Sequence, residues 1–333
     1  MSMVTDQPDV AAVITILQLA GGAVLPRCLH VVANLGVADA LGDDPQTTAQ
    51  LAASTGAHPE ALGRALRLLA ANGVFAYADG LITHTPASRL LRSEDPQSMR
   101  AMGRMFGLPH MWKMLSEMEY SIRTGQPSGD RVFEGGPWAE LARDPEASRI
   151  FDAAMTSKAH SQLPGILASY DFTGVRTVAD IGGGRGHLLR AILDAVPGAT
   201  GVLFDQPHVV DQVAPSDRMR LQAGDFFRPE LPSCDVYLLM EVIHDWDDER
   251  ARLILTNIRA AAAADARVLM IEALIPDGPG PSWPLTLDLW MLNISGKQRS
   301  LEAYAALLAA SGFTDVRGID TPAGVTIIEG RAA

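Results

Sequence analysis

The stretch that decides the fold is Thr-Val-Ala-Asp-Ile-Gly-Gly-Gly-Arg-Gly-His at residues 177–187. An apolar run typical of a strand carries the acid Asp180 near its end, and a helical pattern begins directly after the glycines. Alternating glycines allow the main chain of a strand-to-helix turn to come close to a ligand without obstruction by side chains. The stretch therefore predicts a strand and ligand-binding loop of a parallel α/β sheet. The glycines concerned are Gly182, Gly184 and Gly186.

This loop differs from the loops that bind nucleotide phosphates. The dinucleotide pattern G-x-G-x-x-G needs a small residue at position 187, which is His187 in this chain. No Lys-Ser/Thr pair follows, as a phosphate loop would require, and no Tyr-x-x-x-Lys-like pair accompanies it. These departures disfavour an NAD-linked reductase and indicate a nucleoside ligand without a pyrophosphate.

Outward from the loop, residues 166–333 alternate strand and helix patterns and end in an antiparallel pair at 313–319 and 324–329. This order predicts a mostly parallel sheet covered by helices, with an antiparallel C-terminal strand. The carboxyl ends of parallel strands meet at one edge, where ligands bind. We therefore expect the polar strand ends to form one site. They are Asp180, Asp205, Asp225, His244 and Glu272.

Three of these strand ends predict an adenosine site. Asp205 follows the glycine loop at the separation from which a carboxylate accepts hydrogen bonds from a ribose diol. Asp225 could accept from an adenine amino group while the ring of Phe226 covers the base. An adenosine site without phosphate-binding residues points to S-adenosyl-L-methionine, with S-adenosyl-L-homocysteine as its product.

The other two strand ends predict a general base. His244 lies on the loop after the fourth strand, and Asp245 is predicted to be the N-cap of the helix that follows. Glu272 could accept from one imidazole nitrogen and leave the other free to take a proton. A phenol with a pKa near 10 is mostly protonated at neutral pH, so such a base would contribute roughly 10²–10⁴-fold to its reaction.

Composition excludes several other classes. The 333 residues are enough for two domains, and 27 basic against 39 acidic residues give a net charge of −12. An acidic protein is a poor general binder of nucleic acid or anionic membranes. The two cysteines form neither a disulfide framework nor a zinc pattern, and no ligand-spaced histidine pair predicts a metal.

Residues 1–95 predict a helical and winged-helix domain. Such a pattern serves either DNA binding or dimerisation, and residues 45–95 carry four arginines against four acids, which favours dimerisation. The apolar stretch 10–25 lacks a basic start, is interrupted at 21–22 and is shorter than a membrane span. We expect it to be a buried helix at an interface, in a cytoplasmic protein.

Residues 96–165 predict a helical linker before the α/β domain at 166–333. Six of the 13 methionines lie within residues 99–118. Methionine fills irregular apolar space and adapts to ligands, so this region is either a substrate-pocket wall or an ordinary helix core.

Five motifs occur in order along the chain: Asp-Ile-Gly-Gly-Gly-Arg-Gly at 180–186, Phe-Asp-Gln-Pro-His at 204–208, Gly-Asp-Phe-Phe at 224–227, His-Asp-Trp-Asp-Asp-Glu at 244–249 and Gly-Lys-Gln-Arg-Ser at 296–300. With these motifs the chain resembles a known family, the caffeic-acid/flavonoid-type (class I) S-adenosylmethionine-dependent small-molecule O-methyltransferases, in their bacterial natural-product branch. The resemblance covers about residues 10–330 and implies a Rossmann-like S-adenosylmethionine-dependent methyltransferase domain and homodimerisation through an all-α/winged-helix N-terminal domain.

The resemblance also assigns roles to individual residues. His244 would be the proton acceptor, flanked by Glu272. Two departures stand out, because Gln298 replaces a glutamate that is frequent in the family and Met240 stands where some relatives have a lysine. The cofactor residues would be Gly182, Asp205, Asp225 and Phe226, and the acceptor would lie near Phe151, Met155, Trp290 and Met291.

Together these observations predict methyl transfer to an aromatic hydroxyl of a small secondary metabolite. Three alternatives stay open: a nitrogen or carbon acceptor, a non-methylating reaction assisted by S-adenosylmethionine, and, more remotely, a ligand-responsive DNA-binding regulator.

Overall fold

The computed structural model describes residues 9–278 and 280–333, which form two compact units. The first contains the described residues up to Trp112 together with Glu146–Ser157, and the second contains Lys113–Pro145 and Lys158–Ala333. The predicted division at residues 95 and 165 remains a prediction, and its first eight residues lie outside the described part of the chain.

The N-terminal part begins with helices and contains a small sheet. Its helices are α1 (Val10–Ala20), α2 (Val24–Leu35), α3 (Val37–Leu41), α4 (Thr48–Thr55), α5 (Pro59–Ala71), α6 (Pro86–Arg89) and α7 (Arg100–Met105). Its strands are β1 (Gln46–Thr47), β2 (Phe75–Ala78) and β3 (Leu81–His84), in the order β1-β3-β2. Thr47 caps α4, and Leu62, Leu66 and Leu69 of α5 are buried, so the predicted winged-helix pattern is present.

The first apolar segment differs from its prediction. Two helices of 11 and 12 residues replace one helix, because the chain turns at Gly21–Gly22. Taken together, Val10–Leu35 is long and apolar enough to cross a membrane by length and composition alone, so the predicted shortness of this stretch is not confirmed. In the single chain Leu17 is 66% and Leu19 is 74% exposed, so the predicted burial of this segment at an interface would need a partner and remains a prediction. Helix α2 ends at Gly36, whose φ of 69° is typical of a helix C-terminus, and α3 begins directly after it.

Helices α8 (Pro109–Ser116), α9 (Met118–Thr124), α10 (Ser128–Val132), α11 (Gly136–Arg143) and α12 (Pro145–Ser169) follow. The strands of the second unit are β4 (Thr177–Ile181), β5 (Thr200–Asp205), β6 (Met219–Ala223), β7 (Val236–Met240), β8 (Arg267–Glu272), β9 (Phe313–Asp320) and β10 (Thr326–Ala332). Its helices are α13 (His187–Ala195), α14 (Pro207–Val210), α15 (Asp248–Ala261), α16 (Trp283–Leu292) and α17 (Leu301–Ala310), with a 3₁₀ turn at Ile243–Asp245.

The seven strands of the second unit have the order β6-β5-β4-β7-β8-β10-β9. The first five are parallel, while β10 pairs antiparallel with both β8 and β9, as predicted from the alternating pattern and the terminal strand pair. The chain runs from β4 outward to β6 and then returns to β7, so β4 and β7 flank the switch point of the sheet. Ligands bind at this place in open α/β sheets.

Candidate active site

The glycine loop after β4 forms the floor of the site. Gly182, Gly184 and Gly186 adopt φ angles of 68°, 57° and 72°, a region that favours glycine. A Cβ on Gly182 would lie 3.1 Å from Val242, whereas one on Gly184 would meet nothing within 4 Å. The loop therefore presents bare main chain toward open space at the carboxyl end of the sheet.

Asp205 ends β5 beside this loop. Its Oδ2 accepts a hydrogen bond from the main-chain N–H of Gly184 at 2.8 Å, and its Oδ1 accepts from that of Gln206 at 2.7 Å. Each carboxylate oxygen has a further lone pair, so the side chain is fixed in place and can still accept from two neighbouring hydroxyls. This is the arrangement that a ribose diol requires.

The third strand end supplies an acid and aromatic rings. Asp225 Oδ1 accepts from the main-chain N–H of Phe227 at 2.9 Å. The rings of Phe226, Phe227 and Trp246 pack edge to face, with centroids 4.9 to 5.8 Å apart. A fixed carboxylate beside a group of aromatic rings suits a purine base.

Asp180 lies beneath the glycine loop and is 1% exposed. Burial and the charge of Asp205 raise its pKa to about 7. Its Oδ1 has no hydrogen-bond partner among the described residues, although a buried carboxylate oxygen is costly without one. An unpaired buried acceptor, a bare glycine turn and two fixed carboxylates together fit the adenosine and sulfonium parts of S-adenosylmethionine.

His244 and Glu272 form a buried pair at the next strand ends. Nδ1 of His244 lies 2.9 Å from Oε2 of Glu272, and the two side chains are 7% and 0% exposed. The other oxygen of Glu272 accepts from the main-chain N–H groups of Ile243 and His244 at 3.0 and 3.3 Å. Glu272 therefore accepts hydrogen bonds from the backbone of the turn and lies in charge contact with Nδ1 of the ring, which leaves Nε2 as the ring nitrogen directed away from it.

The charges around His244 favour its protonated form. Burial by itself would lower the pKa of His244, but the charges of Glu272 and Asp245 outweigh burial and raise the pKa to about 9. Asp245 Oδ1 lies 3.4 Å from Nε2. The prediction that Asp245 caps α15 is wrong, because the 3₁₀ turn is inserted before the helix and Asp247 accepts from the N–H of Arg250 instead.

Two further charged residues near the histidine were missed from sequence. Lys158 Nζ lies 2.6 Å from Oε1 of Glu241, and both side chains are largely buried. Glu241 has a φ of 53°, which is strained for a residue other than glycine. The only sequence signal for Glu241 was its place directly after β7, and no signal connected it with Lys158, which lies far away along the chain.

The predicted acceptor residues are distributed over both units. Phe151 and Met155 belong to the first unit and pack against a core cluster that contains Met105, which supports the helix-core interpretation of part of the methionine-rich region. Trp290 and Met291 lie on α16 in the second unit, where Trp290 lines an apolar groove of about 450 Å³ with residues of α8 and α9. The roles of all four residues remain predictions.

Gln298, the departure from the family motif, is 3% exposed. Its main-chain N–H donates to Asp288 at 2.8 Å, but its side-chain amide oxygen and nitrogen have no hydrogen-bond partner within the described ranges. The structure therefore leaves the buried side-chain amide of Gln298 unsatisfied among the described residues.

Comparison with known proteins identifies two family domains in the chain. Residues 112–314 match an O-methyltransferase domain, and residues 17–94 match an O-methyltransferase dimerisation domain. The phenazine O-methyltransferase PhzM of Lysobacter antibioticus is 38% identical over 95% of both chains. The 8-amino-8-demethylriboflavin N,N-dimethyltransferase of Streptomyces davaonensis is 35% identical over 96% of this chain and 95% of its own.

Solved structures agree as well. The crystal structure of CalO1, a methyltransferase in calicheamicin biosynthesis in its SAH-bound form, has a TM-score of 0.88 and is 33% identical, with 98% of this chain and all of that chain covered. The chain therefore belongs to the S-adenosylmethionine-dependent O-methyltransferase family of secondary-metabolite enzymes.

Proposed function

We propose that this protein transfers a methyl group from S-adenosylmethionine to a phenolic hydroxyl of a small aromatic metabolite, with His244 as general base. The single observation that carries the proposal is the buried contact of 2.9 Å between His244 Nδ1 and Glu272 Oε2. Glu272 stabilises the tautomer in which Nδ1 carries the proton and Nε2 can accept one. A site that only bound the methyl donor would need no such pair.

The donor would be held by the residues at the first three strand ends. Asp205 would accept from the ribose hydroxyls, Asp225 and Phe226 would contact the adenine, and Gly182, Gly184 and Gly186 would leave room for the main chain to approach. Bound S-adenosylmethionine supplies an electrophilic methyl group on a sulfonium ion.

His244 would take the proton of the acceptor hydroxyl on Nε2. The raised pKa makes the imidazole a stronger base, whose proton affinity comes closer to that of a phenol with a pKa near 10. The same shift means that the free protein carries mostly protonated His244 at neutral pH. We therefore expect turnover to rise with pH as the imidazole loses its proton.

An arylamine is the second candidate acceptor. Its neutral nitrogen is already nucleophilic, so it needs no base before it attacks, and one relative is an N,N-dimethyltransferase. Replacement of His244 therefore separates the two acceptor types.

The test is a screen with radiolabelled methyl donor over matched pairs of phenols and anilines, run with the natural protein and with His244→Ala. We expect phenols to be methylated in preference to their anilines, and phenol turnover to fall about 10²–10⁴-fold in the variant. Preferential methylation of anilines, or phenol turnover in the variant within threefold of the natural rate, would refute the proposal.

The assembly proposed with this function is a homodimer. The chain carries an O-methyltransferase dimerisation domain at residues 17–94, and α1 exposes an apolar surface without a single buried residue. An exposed apolar surface of this kind is typical of a protein–protein interface. A second copy of the chain would cover it.

A further inference from the structure

The turn that carries His244 is too short to fix its own geometry. It is a single 3₁₀ turn, Ile243–Asp245, and its two local main-chain hydrogen bonds, Asp245 to Val242 and Trp246 to Ile243, are 3.2 and 3.3 Å long. Short 3₁₀ turns have poor hydrogen-bond geometry. The position of the imidazole therefore depends on groups from elsewhere in the chain.

Residues 296–299, from the Gly-Lys-Gln-Arg-Ser motif, supply most of those groups. The main-chain N–H of Lys297 donates to the carbonyl of His244 at 2.8 Å. A Cβ on Gly296 would lie 2.2 Å from the same carbonyl oxygen, so only glycine allows this close approach. The segment is thus packed directly against the backbone of the proposed base.

Arg299 binds carbonyl groups on both sides of His244. Its side chain is 1% exposed, and its guanidinium donates to the carbonyls of Ile243 at 3.2 Å and Trp246 at 2.8 Å, on both sides of His244. It also donates to Asp248 at 2.9 and 2.8 Å, which fixes the guanidinium to the first residue of α15. The planar group with five N–H donors suits this set of acceptors, and a lysine could not reach all of them.

We propose that Arg299 is a positioning residue, which holds the 243–245 turn so that the His244 imidazole stays against Glu272. Glu272 binds the N–H side of the turn, and Arg299 with Lys297 binds the carbonyl side. Loss of the carbonyl contacts leaves buried acceptors unsatisfied and allows the turn to rotate. Displacement of a catalytic group by about 1 Å can cost roughly 10²-fold in rate. This inference rests on the proposed role of His244.

The primary test is Arg299→Lys, which preserves the charge but not the fork of donors. We expect kcat to fall about 10- to 100-fold, with the Kd for S-adenosylmethionine unchanged within threefold, because Arg299 has no contact with the glycine loop, Asp205 or Asp225 among the described residues. The pH midpoint of kcat should also move toward the ordinary histidine value as the ring leaves Glu272. The other charges near the ring, Asp245 and Glu241, stay in place, as does Lys158, which acts on Asp245.

The matched control is Arg218→Lys. Arg218 also donates to three carbonyls, those of Leu193, Val196 and Pro197, and lies 3.6 Å from Asp194. It directly precedes β6 and therefore lies at the amino ends of the parallel strands, whereas His244 lies at their carboxyl ends. We expect this variant to keep the natural kcat and midpoint even where its thermal stability falls.

Two results with Arg299→Lys would overturn the inference. One is a kcat within threefold of the natural value with an unchanged midpoint. The other is a kcat that falls by the same factor at every pH, in proportion to the folded fraction. Should Arg299→Lys fail to fold, Asp248→Asn is the deciding variant, because it loosens the guanidinium without removing it. We expect its kcat to fall about 3- to 10-fold and the pH midpoint of kcat to be lowered. No change in kcat and no change in the midpoint would overturn the inference.

His244→Ala, measured in the same series, separates this inference from the proposed function. Full phenol turnover by that variant refutes the base itself and with it the positioning role. An inactive His244→Ala together with a fully active Arg299→Lys refutes the positioning role alone.

Discussion

Glu272→Gln perturbs the proposed base most sharply, because it changes one atom of a residue that is 0% exposed. The retained amide oxygen can still accept from the main-chain N–H groups of Ile243 and His244, which Glu272 binds at 3.0 and 3.3 Å. The new amide nitrogen is a donor and faces Nδ1 in place of a carboxylate oxygen. Nδ1 must then become the acceptor, the ring proton moves to Nε2, and Nε2 can no longer take a proton from the substrate.

The size of the expected change follows from the charges around His244, which set its pKa. A rise in the pKa of His244 from 6.5 to about 9 corresponds to about 3 kcal/mol in favour of the charged ring. Glu272 is the largest source of that rise. Removal of its charge leaves burial, which lowers the pKa, opposed only by weaker charges. We therefore expect the midpoint of kcat to fall by about two pH units, and the alkaline plateau to fall by at least about 10²-fold because the productive tautomer is lost.

The assay is kcat from pH 6 to 10 with both substrates saturating, and the matched control is Glu329→Gln. Glu329 is also a largely buried glutamate of the same sheet, but it pairs with Tyr170 and Arg317. We expect the control to keep the midpoint and the plateau. A Glu272→Gln profile that overlaid the natural one would show that the pair is structural and not catalytic.

Four further predictions follow from the contacts described. Asp205→Asn should weaken S-adenosylmethionine about 10- to 100-fold in calorimetry, since a charged acceptor is lost, and an unchanged Kd would exclude Asp205 from the site. Leu17→Lys with Leu19→Lys, at positions 66% and 74% exposed, should convert a dimer into monomers in analytical ultracentrifugation; a variant that stays dimeric contradicts an α1 interface. Gly296→Ala should lower kcat at least about tenfold, because its Cβ would lie 2.2 Å from the carbonyl of His244, and full activity would show that the segment can move aside. The pKa of His244 is raised on folding, so its charge stabilises the fold fully below pH 6.5 and loses that effect as pH rises through about 9; the difference in unfolding free energy between the natural protein and His244→Gln should shrink over that interval, and a constant difference would contradict the raised pKa.

The sheet and its ligand edge could be predicted from sequence because they depend on local pattern. Strand-type runs that alternate with helices give a parallel sheet, and the carboxyl ends of its strands meet whatever the strand order. His244 and Glu272 could therefore be placed together, and the structure brings their side chains to 2.9 Å. Their proposed roles still await experiment.

The errors and omissions have physical causes of a different kind. The exposure of Leu17 in one copy does not decide whether α1 is buried, because the predicted interface would lie outside the single chain. Asp245 resembled an N-cap because a three-residue 3₁₀ turn has no distinct sequence signature. The contacts of Lys158 with Glu241, and of Arg299 with the 243–245 turn, join segments that are distant along the chain.

The most direct test of the central claim, that His244 takes the proton of a phenol, is the single-turnover rate across phenols of graded acidity. The rate of the natural protein should depend only weakly on the pKa of the phenol, because His244 removes the proton that a weakly acidic phenol retains at the assay pH. His244→Ala should be slower by about 10²–10⁴-fold on a phenol with a pKa near 10 and should approach the natural rate on one that is already ionised at the assay pH. If the rate depended on the pKa of the phenol with the same slope in the natural protein and in His244→Ala, the account would be contradicted.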